Sequence, residues 1–192
     1  MGMAASLRRS GDHRDAAAKP VIAMHKDSYI FACRYGEFTI RLASEAAPDT
    51  CAFFERFFSS PNFSDASIFR IVTETNSSLR GSVPIEVIQL GLEHDGTGPL
   101  EDIGHENTAQ TGLRHVQGAV SAARYGKGEV YESCFICMRD EPELDHGGRR
   151  HDDGAGFAVF GQVISGFEVL QQVFGLAEAT DYLSEAIPVT LR

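Results

Sequence analysis

The residues able to do chemistry fall into three groups. Cys134-x-x-Cys137, with Cys33 and Cys51 elsewhere, has the makings of a metal or redox set. Asp145, His146, His151, Asp152 and Asp153 gather carboxylates and imidazoles in one short stretch. Arg70 stands alone, a cation inside the apolar run Ser67-Ile-Phe-Arg-Ile-Val72. The first two groups lose force against their surroundings. Cys134 and Cys137 lie in the strand-like run Ser133–Met138, where residues three apart point to opposite faces. A zinc knuckle needs a turn between its cysteines, and a redox pair sits at a helix start. Burial as small apolar groups accounts for them instead. The acidic and histidine cluster sits in a Gly- and Arg-rich loop without fixed ligand spacing, so it reads as solvated. No metal and no cofactor are expected. The chain has no GxGxxG, P-loop, GxSxG or HExxH pattern, which removes the usual nucleotide, esterase and metalloprotease readings.

The elements that must position Arg70 are short and mostly extended. Gly118–Ala123, Ser133–Met138 and Ala158–Ile164 are three apolar runs separated by loops rich in Gly, Asp and charge, a pattern of an all-β barrel or sandwich. Tyr29–Arg34 and Glu37–Leu42 flank Tyr35-Gly36 as a hairpin. Further strands are expected at Ser67–Val72, Ile85–Gly91 and Ile187–Arg192. Pro48 opens a helix whose stripe is Cys51, Phe53, Phe54, Phe57 and Phe58, and Gly166–Phe174 forms a second amphipathic helix. Thr73–Pro84 is a polar insert, and Leu92 to Leu113 a long loop with turns at Asp95-Gly96, Gly98-Pro99 and Thr111-Gly112. By simple alternation Arg70 shares a face with Ile68 and Val72, opposite Phe69 and Ile71. On composition alone that is a surface arginine with its stem on apolar surface.

The order AVSAAR, ESCFIC, PELD, FAVFGQVISGFEVL resembles the second half of a cyclophilin, a peptidyl-prolyl cis/trans isomerase. There the corresponding run typically reads like LSMAN, SQFFI, WLDG and VFGRVIEGMDVV. SIFRIV is similar to that family's FHR-hydrophobic-hydrophobic motif, and IEVIQLG to its FMIQGG. The first hairpin and its Ala-Pro helix match the family's opening, so the resemblance covers residues 29–192. It implies a mainly β fold, a closed eight-stranded antiparallel barrel capped by two α-helices. It places Arg70 on the catalytic arginine and Gln89 on the glutamine that holds the peptide backbone. Phe135 and Leu144 would line a proline socket with Phe160 packed beneath them, and Val87, Ser133, Arg124 and Phe157 would complete the substrate-binding surface. Several positions depart from the family pattern: Ser133 for the glutamine of SQFF, Cys134 for a phenylalanine, Arg124 for the asparagine of MAN. Glu143 stands where many members carry Trp, Phe157 where many carry His, and Leu90 in place of a glycine.

The implied reaction is rotation about an X–Pro amide, opposed by a resonance barrier of about 20 kcal/mol. Twisting decouples the nitrogen lone pair from the carbonyl, so a catalyst needs only to bind the twisted state better. An apolar socket for the ring, a cationic donor for the nitrogen and donors for the backbone would suffice. Arg70 suits the second part because its guanidinium is always charged and offers several donors. A non-catalytic proline-peptide binding module on the same barrel is the alternative function. A barrel enclosing a small apolar ligand, as in lipocalins, is a third reading, but 13 Phe are available to fill an interior.

The 192 residues fit one domain, expected over 27–192 behind a disordered tail of residues 1–26. With 43% hydrophobic and 23% charged residues the composition is that of a folded chain. A net charge of −10 argues against nucleic acid as a partner. No apolar run approaches the roughly 20 residues of a membrane span, and no secretory signal is visible, so a cytoplasmic monomer acting on proline-containing peptides or unfolded protein clients is expected. The opening MGMAAS fits the permissive Gly2/Ser6 acylation pattern, though one acyl chain anchors only marginally.

Overall fold

Residues 27–77, 83–94 and 100–192 are described by the computed structural model. The expectations for residues 1–26, and for the turns at Asp95-Gly96 and Gly98-Pro99, lie outside the described residues. The chain opens with the hairpin β1 (Ser28–Cys33) and β2 (Gly36–Leu42). Arg34 and Tyr35 make its turn, and Phe31 pairs with Phe38 across it. Those two rings stack at 5.3 Å. Helix α1 (Pro48–Phe58) follows, with proline at its start, where the missing N–H costs no helical bond. Its stripe of Cys51, Phe53, Phe54, Phe57 and Phe58 is buried, and Phe54 lies flat on Phe160 at 4.1 Å.

Strands β3 (Ser67–Val72) and β4 (Val87–Gly91) come next. The long loop contains a short β5 (Glu101–Asp102) and a single turn of helix α2 (Thr108–Thr111), neither expected from sequence. Then come β6 (Ala119–Arg124), β7 (Glu129–Cys137), β8 (Val159–Ser165), α3 (Phe167–Phe174), β9 (Tyr182–Pro188) and β10 (Thr190–Leu191). The strands run in the order β10-β1-β2-β8-β6-β7-β4-β3-β9, antiparallel throughout, with β5 paired to β7. One segment closes the circuit. β9 pairs with β3, the chain breaks step at Val189, and β10 pairs with β1. The Val189 N–H donates to the Ala66 carbonyl and the Arg192 N–H to that of Ile30, each at 3.0 Å. With β9 and β10 taken as one bent strand and β5 set aside, this is the eight-stranded barrel. Among the described residues no helix is long and apolar enough to cross a membrane.

The two faces of the sheet carry separate cores. Inside the barrel sit Phe31, Phe38, Phe54, Phe160, Ile40 and Ile136, so side chains fill the interior that a lipocalin would give to its ligand. Outside, Val72, Ile85, Val87, Phe135, Leu144 and Val159 form a smaller cluster. Cys134 belongs to the inner set and Cys137 to the outer, as opposite faces require. Burial pushes both thiols well above the ordinary range, and all four cysteines are free.

Simple alternation fails in β3. Ile68 pairs with Leu90 but Arg70 pairs with Gln89, so Phe69 is an extra residue in a bulge. Ile68 and Ile71 both enter the barrel core, and Arg70 faces outward with Val72 alone. Phe69 is turned against the Tyr182 ring. Gly91 ends β4 at φ 128°, and a Cβ there would meet the Glu132 carbonyl oxygen at 2.3 Å. Only glycine lets β4 and β7 approach so closely at that point.

The Phe54–Phe160 stack ties α1 to the barrel wall. Phe54→Ala should lower the unfolding free energy by about 3–5 kcal/mol, measured by urea denaturation. A loss below 1 kcal/mol would mean that α1 is not part of the core.

Candidate active site

Arg70 leaves the outer face of β3 and is fixed from two sides. Its Nε and Nη2 donate to Asp181 Oδ2 at 2.9 and 2.6 Å, and its Nη1 to Gln89 Oε1 at 3.2 Å. The Tyr182 ring lies against the guanidinium at 5.3 Å. Asp181 is only 3% exposed, in the segment that leads into the closing strand. Its backbone carbonyl also accepts from the Ile71 N–H, which locks residue 181 beside residue 70. An arginine held in this way keeps its charge and loses its rotamer freedom.

Gln89, on the neighbouring strand, is oriented in turn. Its Nε2 donates to Tyr131 Oη at 3.0 Å and Ser133 Oγ at 3.1 Å, and the Ser133 hydroxyl donates to the Leu90 carbonyl. Burial pushes the Tyr131 phenol up to about 12, so it stays neutral. Beside this polar ladder lies an apolar socket. Val87, Phe135, Leu144 and Phe157 share with Arg70 and Gln89 the wall of a cleft of about 340 Å³. Phe157 meets Phe135 edge-on at 5.4 Å, and the short turn Pro142–Leu144 delivers Leu144.

Two expected members lie elsewhere. Phe160 does not sit beneath the socket: on β8 its neighbour Val159 faces the outer cluster, so Phe160 faces the barrel interior. Ser133 is fully buried behind Gln89 and orients that side chain, without reaching the cleft wall. Arg124 does line the cleft, but it is committed. It clasps Asp153 with two bonds of 2.8 Å, donates to the Gly156 carbonyl, and covers the Phe157 ring at 4.8 Å. This pairing holds the Asp153 carboxyl far below the usual range. The loop that looked like a solvated cluster is therefore partly structural, and it sends Arg150 and His151 into the cleft wall.

Behind Phe135 is a network that no motif announced. His115 stacks on the Phe135 ring at 6.0 Å, with Nδ1 2.8 Å from Asp145 Oδ1 and Nε2 3.0 Å from Ser121 Oγ. The connectivity is that of a Ser-His-Asp hydrolase, but Ser121 is wholly buried and Oγ also contacts the Ala158 carbonyl. No acyl group reaches it, and the network serves to brace the socket. Asp181, Arg150 and His115 were all missed because none sits in a motif and each has a partner that only the fold brings near.

The same network sets an acid limit. Burial holds His115 below its ordinary 6.5 against the raising pull of Asp145, and burial shifts His105 in the same direction. Each is neutral when folded and takes up a proton more readily when unfolded. Their contribution is therefore full above pH 6.5 and lost as pH falls below it. Asp145, raised by burial but lowered more by its bonds to His115, lies under its ordinary 3.8, so its share is lost only in stronger acid. Urea midpoints should fall between pH 7 and pH 5, and His115→Gln should flatten that fall. An unchanged slope in the variant would assign the loss to other groups.

With this geometry in place, the comparisons with known proteins converge. The cyclophilin type peptidyl-prolyl cis-trans isomerase/CLD family matches residues 28–189. Peptidyl-prolyl cis-trans isomerase A of Dickeya dadantii is 39% identical over 69 residues, which are 35% of this chain and only about a third (34%) of that protein. A Cryptosporidium parvum cyclophilin type peptidyl-prolyl cis-trans isomerase superposes with a TM-score of 0.63 at 15% identity, over 86% of this chain and 97% of that one. The same protein in the presence of the dipeptide Ala-Pro gives a TM-score of 0.63 at 16% identity, over 86% and 98%. Bulged β3, the closing C-terminal strand and the arginine–glutamine ladder thus sit on a known barrel, and the chain belongs to the cyclophilin-type peptidyl-prolyl cis-trans isomerase family.

Proposed function

We propose that this protein accelerates cis/trans rotation about X–Pro bonds in peptides and unfolded protein clients. The observation that carries this reading is the Arg70 guanidinium, held rigid by Asp181 and aimed beside the socket of Phe135 and Leu144. A pyrrolidine ring seated in that socket brings its nitrogen to the charged edge of the cleft. As the amide twists, the lone pair localises on nitrogen and gains a donor that is already in place. Gln89, aligned by Tyr131 and Ser133, steadies the peptide backbone. Neither a nucleophile nor a proton transfer is required. The Ala-Pro dipeptide accompanying the Cryptosporidium parvum structure supports a proline-containing ligand for this cleft.

Removing a preorganised donor of this kind costs about 3–4 kcal/mol of transition-state stabilisation. Arg70→Ala should therefore slow exchange of an X–Pro peptide about a hundredfold or more while the protein stays folded, and Arg70→Lys should recover only part. Asp181→Asn, which keeps the shape but removes the charge that aligns Arg70, should reduce the rate with little change in KM. Phe135→Ala should weaken peptide binding. Exchange NMR on a single peptide with the wild type and these variants measures all four. A wild type that binds the peptide without accelerating exchange would leave a proline-binding module.

A further inference from the structure

The charge of the cleft runs against the charge of the chain. The sequence has 27 acidic and 17 basic residues. Yet among the described residues lining the cleft are Arg70, Arg124, Arg150 and His151, and no carboxylate. Asp181 stands buried behind Arg70, and Asp153 pairs with Arg124 from outside the wall. A substrate entering this cleft meets three guanidinium groups in its wall and no carboxylate.

Arg150 is set apart from the other two by its origin. It belongs to the loop between Leu144 and Phe157, which folds back on itself at Gly148. A Cβ there would meet the Glu143 carbonyl oxygen at 2.3 Å, and two residues on the Arg150 N–H donates to that same carbonyl at 3.1 Å. The turn throws the Arg150 side chain across the rim. There, among its contacts, its Nη1 donates to the Val83 carbonyl at 2.8 Å and to Ser77 Oγ at 3.3 Å. It is 6% exposed and shares the wall with Arg70, Ile85, Val87 and Leu144. Burial and the charge of Arg70 pull its pKa down to about 10 against the raising pull of Asp181 and Glu141, so it remains a cation at neutral pH. An anion entering the cleft meets both guanidiniums in a partly dehydrated place, where charge-assisted bonds are strong.

We infer that Arg150, together with Arg70, forms an anion subsite that selects X–Pro segments carrying a carboxylate or a phosphate on a residue flanking the proline. The inference rests on the proposed isomerase reading for its biological meaning, but the selectivity is measurable as binding alone. Arg150 is then a specificity-determining residue, delivered to the rim by the loop between Leu144 and Phe157. The planar guanidinium pairs with carboxylate and phosphate alike, so the two sources share one chemistry.

The test uses the full chain and peptides identical except at the residue before or after proline: Gln, Glu, Ser, phosphoserine or Lys. Kd is read by NMR titration and exchange rate on the same samples. Wild type should bind the Glu or the phosphoserine peptide about tenfold more tightly than its neutral counterpart, at one of the two positions. The gap should narrow as salt rises. A gain with both anions marks a general anion site, and a gain with phosphoserine alone marks phosphate as the ligand. Arg150→Gln should bring the ratio close to one, Arg150→Glu should turn it towards Lys, and Arg150→Lys should keep part of it. If the Gln variant does not fold, Arg150→Lys still tests the fork, by a reduced ratio at retained charge. Equal Kd values for charged and neutral peptides in the wild type would overturn the inference, as would a preference that survives unchanged in Arg150→Gln. Selective binding without acceleration would retain the subsite while rejecting the isomerase reading.

Discussion

Arg70 and Asp181 are 111 residues apart, and their ion pair exists only where the last strand has closed the sheet. The side chains are 17% and 4% exposed, so neither charge has water enough to stand alone. Removing one partner from a pair this buried leaves a stranded charge at a cost of about 3–5 kcal/mol. The site therefore depends on β9 lying against β3 in correct register, and the Ile71–Asp181 backbone bond belongs to that same register. Everything in the cleft is arranged around a cation that the fold itself makes tolerable.

The period of two in a β-strand divides the labour. Inward residues build a ring-filled interior that gives the barrel its stiffness, and outward residues of β3, β4 and β7 present the socket and the donors. The bulge at Phe69 alters that count in β3, and it falls one residue before Arg70. It lets both Ile68 and Ile71 enter the core while Arg70 stays outside. Bulges of this kind re-aim side chains near functional sites.

Most of the fold was legible because each element carries its own local signal. The hairpin has its turn, α1 its proline and phenylalanine stripe, and each outer strand its alternation. Arg70, Gln89, Phe135 and Leu144 could be gathered because each sits in a short motif of its own. What escaped was anything that depends on register between distant segments. Phe160 was placed on the wrong side of β8 because the face of a strand is settled by its partners, and β8 shifts register against both β2 and β6. Asp181 has no motif around it and gains meaning only by lying next to residue 70. Arg150 and His151 read as loop solvent because nothing local shows that Gly148 folds the loop back to the rim.

The closing segment also orders events in time. Residues 181–191 follow every other strand in the chain, so they leave the ribosome after β1, β3 and the residues of the cleft have been made. Until then β1 and β3 are open edges, of the sort that recruit other chains, and Arg70 has no buried acid to face. The nascent protein has its socket residues long before it has a functioning site. A cleft built this way is assembled only when folding is finished.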